Sequence, residues 1–185
     1  MRRRATQAGL PTIAVDFLFL ILLAFLLLIN PPTKEAEDTT APGNMSVTAA
    51  WQEGPIDVDL WLTGPGQPKA TGYSNRGGSL FNLLRDDLGT YSDPLPFNFE
   101  NAFSRGLPAG EYVINLHCFA CPANVEVSVE VSMGERGQRQ KLLFKDVVEL
   151  RPKQERTVVR FRLDGNSNVV SGSVNQVYTP LRSAK

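Results

Sequence analysis

The sequence predicts a mainly β protein in which a single N-terminal transmembrane helix is followed by an antiparallel β-sandwich domain. Three observations predict this class. Residues 13–29 form an apolar run that only Asp16 interrupts. From residue 45 onward, apolar and polar residues alternate with period two, which is typical of strands that bury one face. Clusters of glycine, proline and asparagine separate these segments, and no convincing helical window lies among them.

Length and composition limit the function classes. A chain of 185 residues is long enough for one domain plus an accessory segment. Its 19 basic and 19 acidic residues cancel, which excludes a nucleic-acid binder that relies on bulk positive charge. The sequence also lacks a nucleophile elbow, a metalloprotease motif and a phosphate-binding loop, so it predicts a protein that is not an enzyme.

The apolar run predicts a membrane anchor. Seventeen residues span about 25 Å of helix, which with the flanking residues is just enough to cross a hydrocarbon core. Arginines at positions 2–4 place a basic tail, residues 1–12, in the cytoplasm and the chain after the helix at 13–30 on the far side. A cleaved signal peptide is the alternative, but the residues after Asn30 include no small-residue cleavage site.

Asp16 allows two interpretations. A carboxylate inside a spanning helix costs a few kcal/mol, and such residues normally face a partner or a water-filled path. Because Asp16 lies about one turn into the run, its carboxylate could simply reach the cytoplasmic interface. Alternatively, it takes up and releases protons between helices.

The segments 14–17 (AVDF) and 22–28 (LLAFLLL) resemble the transmembrane helix of the MotB/ExbD/TolR family, the single-pass subunits of ion-driven motors. The resemblance implies that Asp16 is the ion-carrying carboxylate and that Phe17 is its neighbour in the ion path. It further implies a bacterial inner-membrane location with a periplasmic C-terminal domain. Two copies of the chain, a self-dimer, would sit inside a pentamer of a multi-pass MotA/ExbB/TolQ-like partner, and the domain would engage an unknown periplasmic target. A MotB-type peptidoglycan-binding domain has no counterpart here.

Residues 31–44 (PPTKEAEDTTAPGN) have the composition of a linker, rich in proline, threonine and charge. In the resembled family, a segment at this place can plug the ion path. A flexible tether that holds the domain away from the membrane is the alternative, and the composition leaves both open.

The predicted sandwich domain comprises residues 45–185. Its period-two segments are 46–51, 56–62, 111–118, 125–131, 141–150 and 155–163. The stretch 74–105 has no clear period and predicts extended loops with short strands. Across 56–131, the order of an Asp-x-Asp-Leu strand, a Gly-Gly turn, an acidic loop and a Pro-x-Gly-x-Tyr strand entry resembles an uncharacterised bacterial sandwich module.

Acidic residues form a candidate calcium site. Asp57 and Asp59 lie on one face of their predicted strand, about 7 Å apart. Together with Asn75, Asp86 and Asp87, they offer oxygen ligands to a hard cation such as calcium. The alternative is that these acids only solvate an outer face and pair with nearby arginines. No other cofactor is expected.

His117, Cys118 and Cys121 place three soft ligands close together, but zinc needs about four and the chain has no further cysteine or histidine. In an oxidising compartment we therefore expect a disulfide between Cys118 and Cys121. His117 has no partner placed by sequence and is expected to be a surface or strand residue rather than a catalyst.

Two functions follow. The first is a subunit of a proton-driven inner-membrane motor with Asp16 as the ion carrier. The alternative is a membrane-tethered, non-enzymatic binding or adaptor module whose helix is only an anchor and whose recognition surface is the loop region 73–105.

Overall fold

The structure, a computed structural model, describes residues 9–29, 43–89, 97–135 and 139–182. The chain divides into two units, residues 1–39 and residues 40–185. The first unit contains one helix, α1 (Gly9–Ile29), and the second contains the strands. The predicted basic tail at 1–8 and most of the predicted linker or plug, 31–42, lie outside the described residues.

Helix α1 begins at Gly9, four residues before the predicted start at residue 13. Within the described residues, no helix combines the length and apolarity that crossing a membrane requires. The prediction of a transmembrane helix at 13–30 is therefore wrong, and so are the single-pass inner-membrane location and the membrane and proton-channel assignments that depended on it. The physical reason is that Asp16 confines the uninterrupted apolar sequence to the 13 residues that follow it. Thirteen residues make about 20 Å of helix, against a hydrocarbon core of about 30 Å.

Two antiparallel sheets form the second unit. The strands are β1 (Met45–Gln52), β2 (Asp57–Thr63), β3 (Phe81–Arg85), β4 (Phe97–Ser104), β5 (Gly110–Ala120), β6 (Val125–Met133), β7 (Lys141–Leu150) and β8 (Glu155–Leu163). One sheet has the order β3-β4-β1-β6-β7, and the other has the order β2-β5-β8. Their inner faces share one hydrophobic core, so this part of the chain is mainly β and forms a sandwich.

The strands whose sequence alternates with period two place their apolar side chains in the core. In β6, the valines at 125, 127, 129 and 131 are all buried, and the residues between them are exposed or half-buried. In the facing sheet, Tyr112 stacks on Phe161 with ring centroids 5.2 Å apart, and its hydroxyl donates a hydrogen bond to the Pro108 carbonyl at 2.8 Å. The hydroxyl is thereby satisfied at the end of the core, as a buried tyrosine requires.

Strand β4 has its polar side chains turned inward. Asn98, Glu100 and Ser104 are buried, whereas Phe97 is exposed and Phe99 is half-buried. Glu100 pairs with Ala49 of β1, whose small side chain leaves room beside it. A hydrophobic pattern predicts the opposite phase, which is why this strand was hidden within the stretch 74–105.

The C-terminal segment covers the outer face of the three-stranded sheet. Leu181 packs in a small cluster with Trp61, Ala70 and Val113. Asn115 of β5 donates a hydrogen bond from Nδ2 to the Thr179 carbonyl at 2.8 Å. Residues 175–182 thus lie along the sheet, and we call this segment the C-terminal strap.

Truncation of Leu181 should show whether the strap is part of the packed fold. Leu181 is only 8% exposed, so Leu181→Ala should lower the free energy of unfolding by about 2 kcal/mol or slightly more. Val177→Ala is the matched control in the same segment, because Val177 is 60% exposed and its truncation should change stability by less than about 0.5 kcal/mol. Urea denaturation measures both, and equal effects would show that the strap is not packed.

Candidate functional site

The candidate site lies where the two sheets meet at the open edge of β2. This strand is an edge strand of its sheet, paired on one side with β5. Val58, Leu60 and Leu62 point into the core. Asp57 and Asp59 alternate with them, and both carboxylates are nonetheless buried. Edge strands leave backbone groups unpaired, and here another element has to satisfy them.

The side chain of Glu100 satisfies one of these backbone groups of β2. It reaches from β4 to β2, where its Oε2 accepts a hydrogen bond from the Leu60 main-chain N–H at 2.7 Å. Its side chain is 0% exposed, and its Oε1 has no hydrogen-bond partner in the described structure. Burial, followed by the nearby carboxylates of Asp59 and Asp86, raises the pKa of Glu100 to about 10, although the Leu60 N–H opposes the rise.

Asp86 comes from the loop after β3. This loop passes very close to β2 at Gly89, where φ is +64° and a Cβ atom would lie 2.3 Å from the Ile56 carbonyl oxygen. Only glycine allows this approach. One oxygen each from Asp59, Asp86 and Glu100 lie within 4.8 Å of one another. Asp86 Oδ1 and Glu100 Oε1 accept no hydrogen bond from another described group, and a proton on Glu100 is shared with Asp86 in a side-chain hydrogen bond.

Asp57 adds a fourth carboxylate. Burial, and after it the negative charges of Asp59, Asp86 and Asp87, raise the pKa of Asp57 to about 6. Its Oδ1 is buried and also lacks a partner in the described structure. A small pocket of about 80 Å³ opens here. Its lining residues are Asp57, Asp59, Tyr73, Asp86, Leu88 and Phe119. We call this the acidic pocket.

His117 holds Asp59 in place from β5. It is 2% exposed, and its Nδ1 lies 2.9 Å from Asp59 Oδ2, while its Nε2 lies 2.6 Å from Arg182 Nη1. A guanidinium can only donate, so Nε2 accepts from Arg182 and the ring proton is on Nδ1, where it donates to Asp59. Such a partner fixes the orientation of a ligand carboxylate. Both imidazole nitrogens are engaged, which leaves His117 no free nitrogen for catalysis.

Two predicted calcium ligands have other roles. Asp87 Oδ2 forms an ion pair with Arg85 at 2.9 Å and accepts a hydrogen bond from the Phe99 N–H at 3.1 Å. Asp87 Oδ1 accepts a hydrogen bond from the Gly89 N–H at 3.1 Å, so this carboxylate holds the loop together. Asn75 donates from Nδ2 to the Ala70 carbonyl at 3.0 Å and does not line the acidic pocket.

Of the predicted calcium ligands, the structure brings Asp57, Asp59 and Asp86 together, and it adds Glu100, which the sequence did not indicate. A weak signal existed, because residues 97–104 (FNFENAFS) alternate with period two, but the aromatic residues suggested the wrong inward face. Cys118 and Cys121 form a disulfide at the end of β5. Asp16 is exposed on α1 with Phe17 beside it, and the described residues do not test their predicted ion-carrying roles.

Comparison of the chain with protein-family models, with curated proteins and with solved structures gives no match. The resemblance to the MotB/ExbD/TolR family and the resemblance to a bacterial sandwich module therefore stay predictions. The function has to be argued from the site itself.

The buried carboxyl of Glu100 should make the stability of the cation-free protein depend on pH. Its pKa is about 10 in the folded state and 4.5 ordinarily, so between these values the folded state binds more protons than the unfolded chain. The free energy of unfolding should therefore fall with rising pH, by roughly 1 kcal/mol per pH unit. Denaturation in EDTA at about pH 6.5 and about pH 8.5 measures this slope.

Glu100→Gln should flatten the slope and stabilise the cation-free protein at the higher pH, because it removes the ionisable group while keeping the shape. Glu126→Gln on β6 is the matched control, since Glu126 is exposed and its loss should leave the slope unchanged. A slope that survives Glu100→Gln would assign the effect to another group.

Proposed function

We propose that the sandwich is a non-enzymatic binding module whose acidic pocket binds a divalent cation of the calcium type. The observation that carries the proposal is the fully buried Glu100 carboxyl, whose unpartnered Oε1 belongs to the same cluster as Asp59 and Asp86. An unpaired buried carboxylate oxygen is costly, and proteins normally retain one only where something satisfies it.

A cation satisfies this cluster better than protons do. Asp57 Oδ1, Asp86 Oδ1 and Glu100 Oε1 all lack donors within the described structure. A proton on Glu100 can serve one neighbouring oxygen, and the remaining carboxylates still repel one another. One divalent ion among the oxygens neutralises several charges at once and accepts several lone pairs.

The donor set favours a hard cation. Every candidate ligand is a carboxylate oxygen, which suits calcium or magnesium, whereas zinc and copper prefer sulfur and imidazole. The described soft donors are occupied, because the cysteines form a disulfide and His117 bonds to Asp59 and Arg182. Calcium takes about six to eight oxygens in flexible geometry, so water or a bound molecule would complete its coordination.

The surroundings of the pocket support a recognition role. Tyr73, Leu88 and Phe119 line it, and all three side chains are exposed. An ion in the pocket would offer its free coordination positions next to this aromatic and aliphatic rim, where a partner could supply oxygen ligands and pack its apolar groups. The motor function expected from the sequence requires a spanning helix, so it is not part of this proposal.

Calcium titration tests the proposal. Calcium should bind the wild-type protein saturably and raise its Tm, because a ligand specific for the folded state stabilises it. Since Glu100 holds a proton at neutral pH, binding should release about one proton per ion and strengthen as the pH rises. Isothermal titration calorimetry in two buffers of different ionisation enthalpy measures the affinity and the proton count together.

Glu100→Gln and Asp86→Asn should each weaken calcium binding by about tenfold or more, because ligand charge sets the affinity of such sites. Glu126→Gln, which removes an exposed charge on β6, should bind calcium like the wild type. The proposal fails if millimolar calcium leaves the Tm of the wild type unchanged, or if Glu100→Gln binds calcium with undiminished affinity.

A further inference from the structure

We infer a second binding site, for an oxyanion, in a pocket on the outer face of the three-stranded sheet. The pocket has a volume of about 300 Å³, and its wall includes Trp61, Lys69, Tyr73, Ser74 and Arg182. It is distinct from the acidic pocket, with which it shares only Tyr73. We call it the basic pocket. The inference does not depend on cation binding.

Arg182 gives the pocket a fixed positive charge. Its Nη1 donates to the Nε2 of His117 at 2.6 Å, and that nitrogen carries no charge when it accepts. Nearby Glu155 accepts from the Leu181 and Arg182 main-chain N–H groups through Oε1, not from the guanidinium. The guanidinium is thus oriented by a buried ring, and among the described residues it has no carboxylate partner.

Lys69 supplies a second cation. It is exposed on the loop that follows β2, and no described acidic side chain forms an ion pair with it. Two like charges that line one pocket repel each other, and an anion between them removes the repulsion. Arginine and lysine together are the side chains that commonly bind carboxylate and phosphate groups.

Trp61 supplies an unused hydrogen-bond donor. Its side chain is buried in the pocket wall, and its Nε1–H has no acceptor in the described structure. The indole is held rigidly, because a Cβ on Gly72 would lie 2.6 Å from it and Tyr73 packs against it edge-on with ring centroids 5.4 Å apart. The Nε1 atom is itself buried, and buried indole N–H groups usually have a partner, so an oxyanion that enters the pocket wall beside Trp61 would supply the missing acceptor.

These features define the ligand class as a small molecule or chemical group that carries a carboxylate or a phosphate. Both offer several acceptor oxygens to a guanidinium, an ammonium and an indole N–H, and the hydroxyls of Tyr73 and Ser74 can donate further bonds. A pocket of about 300 Å³ is at the lower end of the size range of small-molecule sites.

The indole N–H signals provide a direct test. The chain has two tryptophans, and the Nε1 of Trp51 already donates to the Ile56 carbonyl at 2.8 Å, so Trp51 serves as the internal reference. ¹⁵N–¹H spectra of the full chain in EDTA, with the Trp61 signal assigned from Trp61→Phe, are recorded during titration with inorganic phosphate or glucuronate. Glucose and potassium chloride are the neutral and ionic-strength controls.

The Trp61 indole signal should shift saturably with phosphate, glucuronate or both, while the Trp51 signal stays in place. A response to phosphate alone identifies a phosphate site, and a response to glucuronate alone identifies a carboxylate site. Lys69→Gln and Arg182→Gln should each weaken the response by about tenfold, the amount that one charge-assisted hydrogen bond contributes. Lys141→Gln, which removes an exposed lysine from β7, should not weaken it.

No saturable shift with either anion in the wild type would overturn the inference. So would a shift of the same size with potassium chloride, because that would report ionic strength alone. Lys69 is exposed, so its replacement does not endanger folding, and an undiminished response in Lys69→Gln would also count against the site.

Discussion

The contact on which the site depends is the hydrogen bond between the Glu100 carboxylate and the Leu60 main-chain N–H at 2.7 Å. It joins the two sheets at the edge of β2, where, among the described strands, only β5 pairs with β2 and the Leu60 N–H is bonded by a side chain instead. A neutral side chain could fill the same place. A carboxyl group there satisfies one edge donor, but it also leaves a second oxygen inside the protein that needs a proton or a cation. Glu100 thus stabilises the edge of β2, and its second oxygen requires a proton or a cation.

The loop after β3 and the strand β5 complete the arrangement around that edge. Close approach at Gly89 brings Asp86 toward β2, and Asp87 holds the loop by bonding to its backbone. From the other side, His117 fixes Asp59. The clustering of acids is therefore enforced by backbone geometry and hydrogen bonds that the fold supplies. Their mutual repulsion contributes to the raised pKa values of Asp57 and Glu100.

Asp59 also links the two pockets. Its carboxylate belongs to the acidic cluster, and through His117 it sets the position of Arg182 in the basic pocket. A change of charge at Asp59 alters the polarisation of the imidazole, and hence the strength with which Nε2 accepts from the guanidinium. Any coupling between the two sites would have to be reciprocal in free energy. The C-terminal strap is part of this chain because it carries Arg182, so the packing of Leu181 positions a charged group as well as covering the sheet.

The sequence by itself determined the β class of the main domain and six of its strands, because a strand with one buried face must alternate with period two. It also brought Asp57, Asp59 and Asp86 into consideration together. It could not determine the role of Glu100. Strand β4 turns its polar side chains inward, whereas its aromatic residues predict that the opposite face is buried. Apolar composition also suggested a spanning helix, although the interruption at Asp16 shortens the uninterrupted run. Which oxygens converge, and which cations stay unpaired, depends on contacts between residues as far apart as Asp59, His117 and Arg182. Local sequence patterns carry no information about such contacts, and only the tertiary structure decided them.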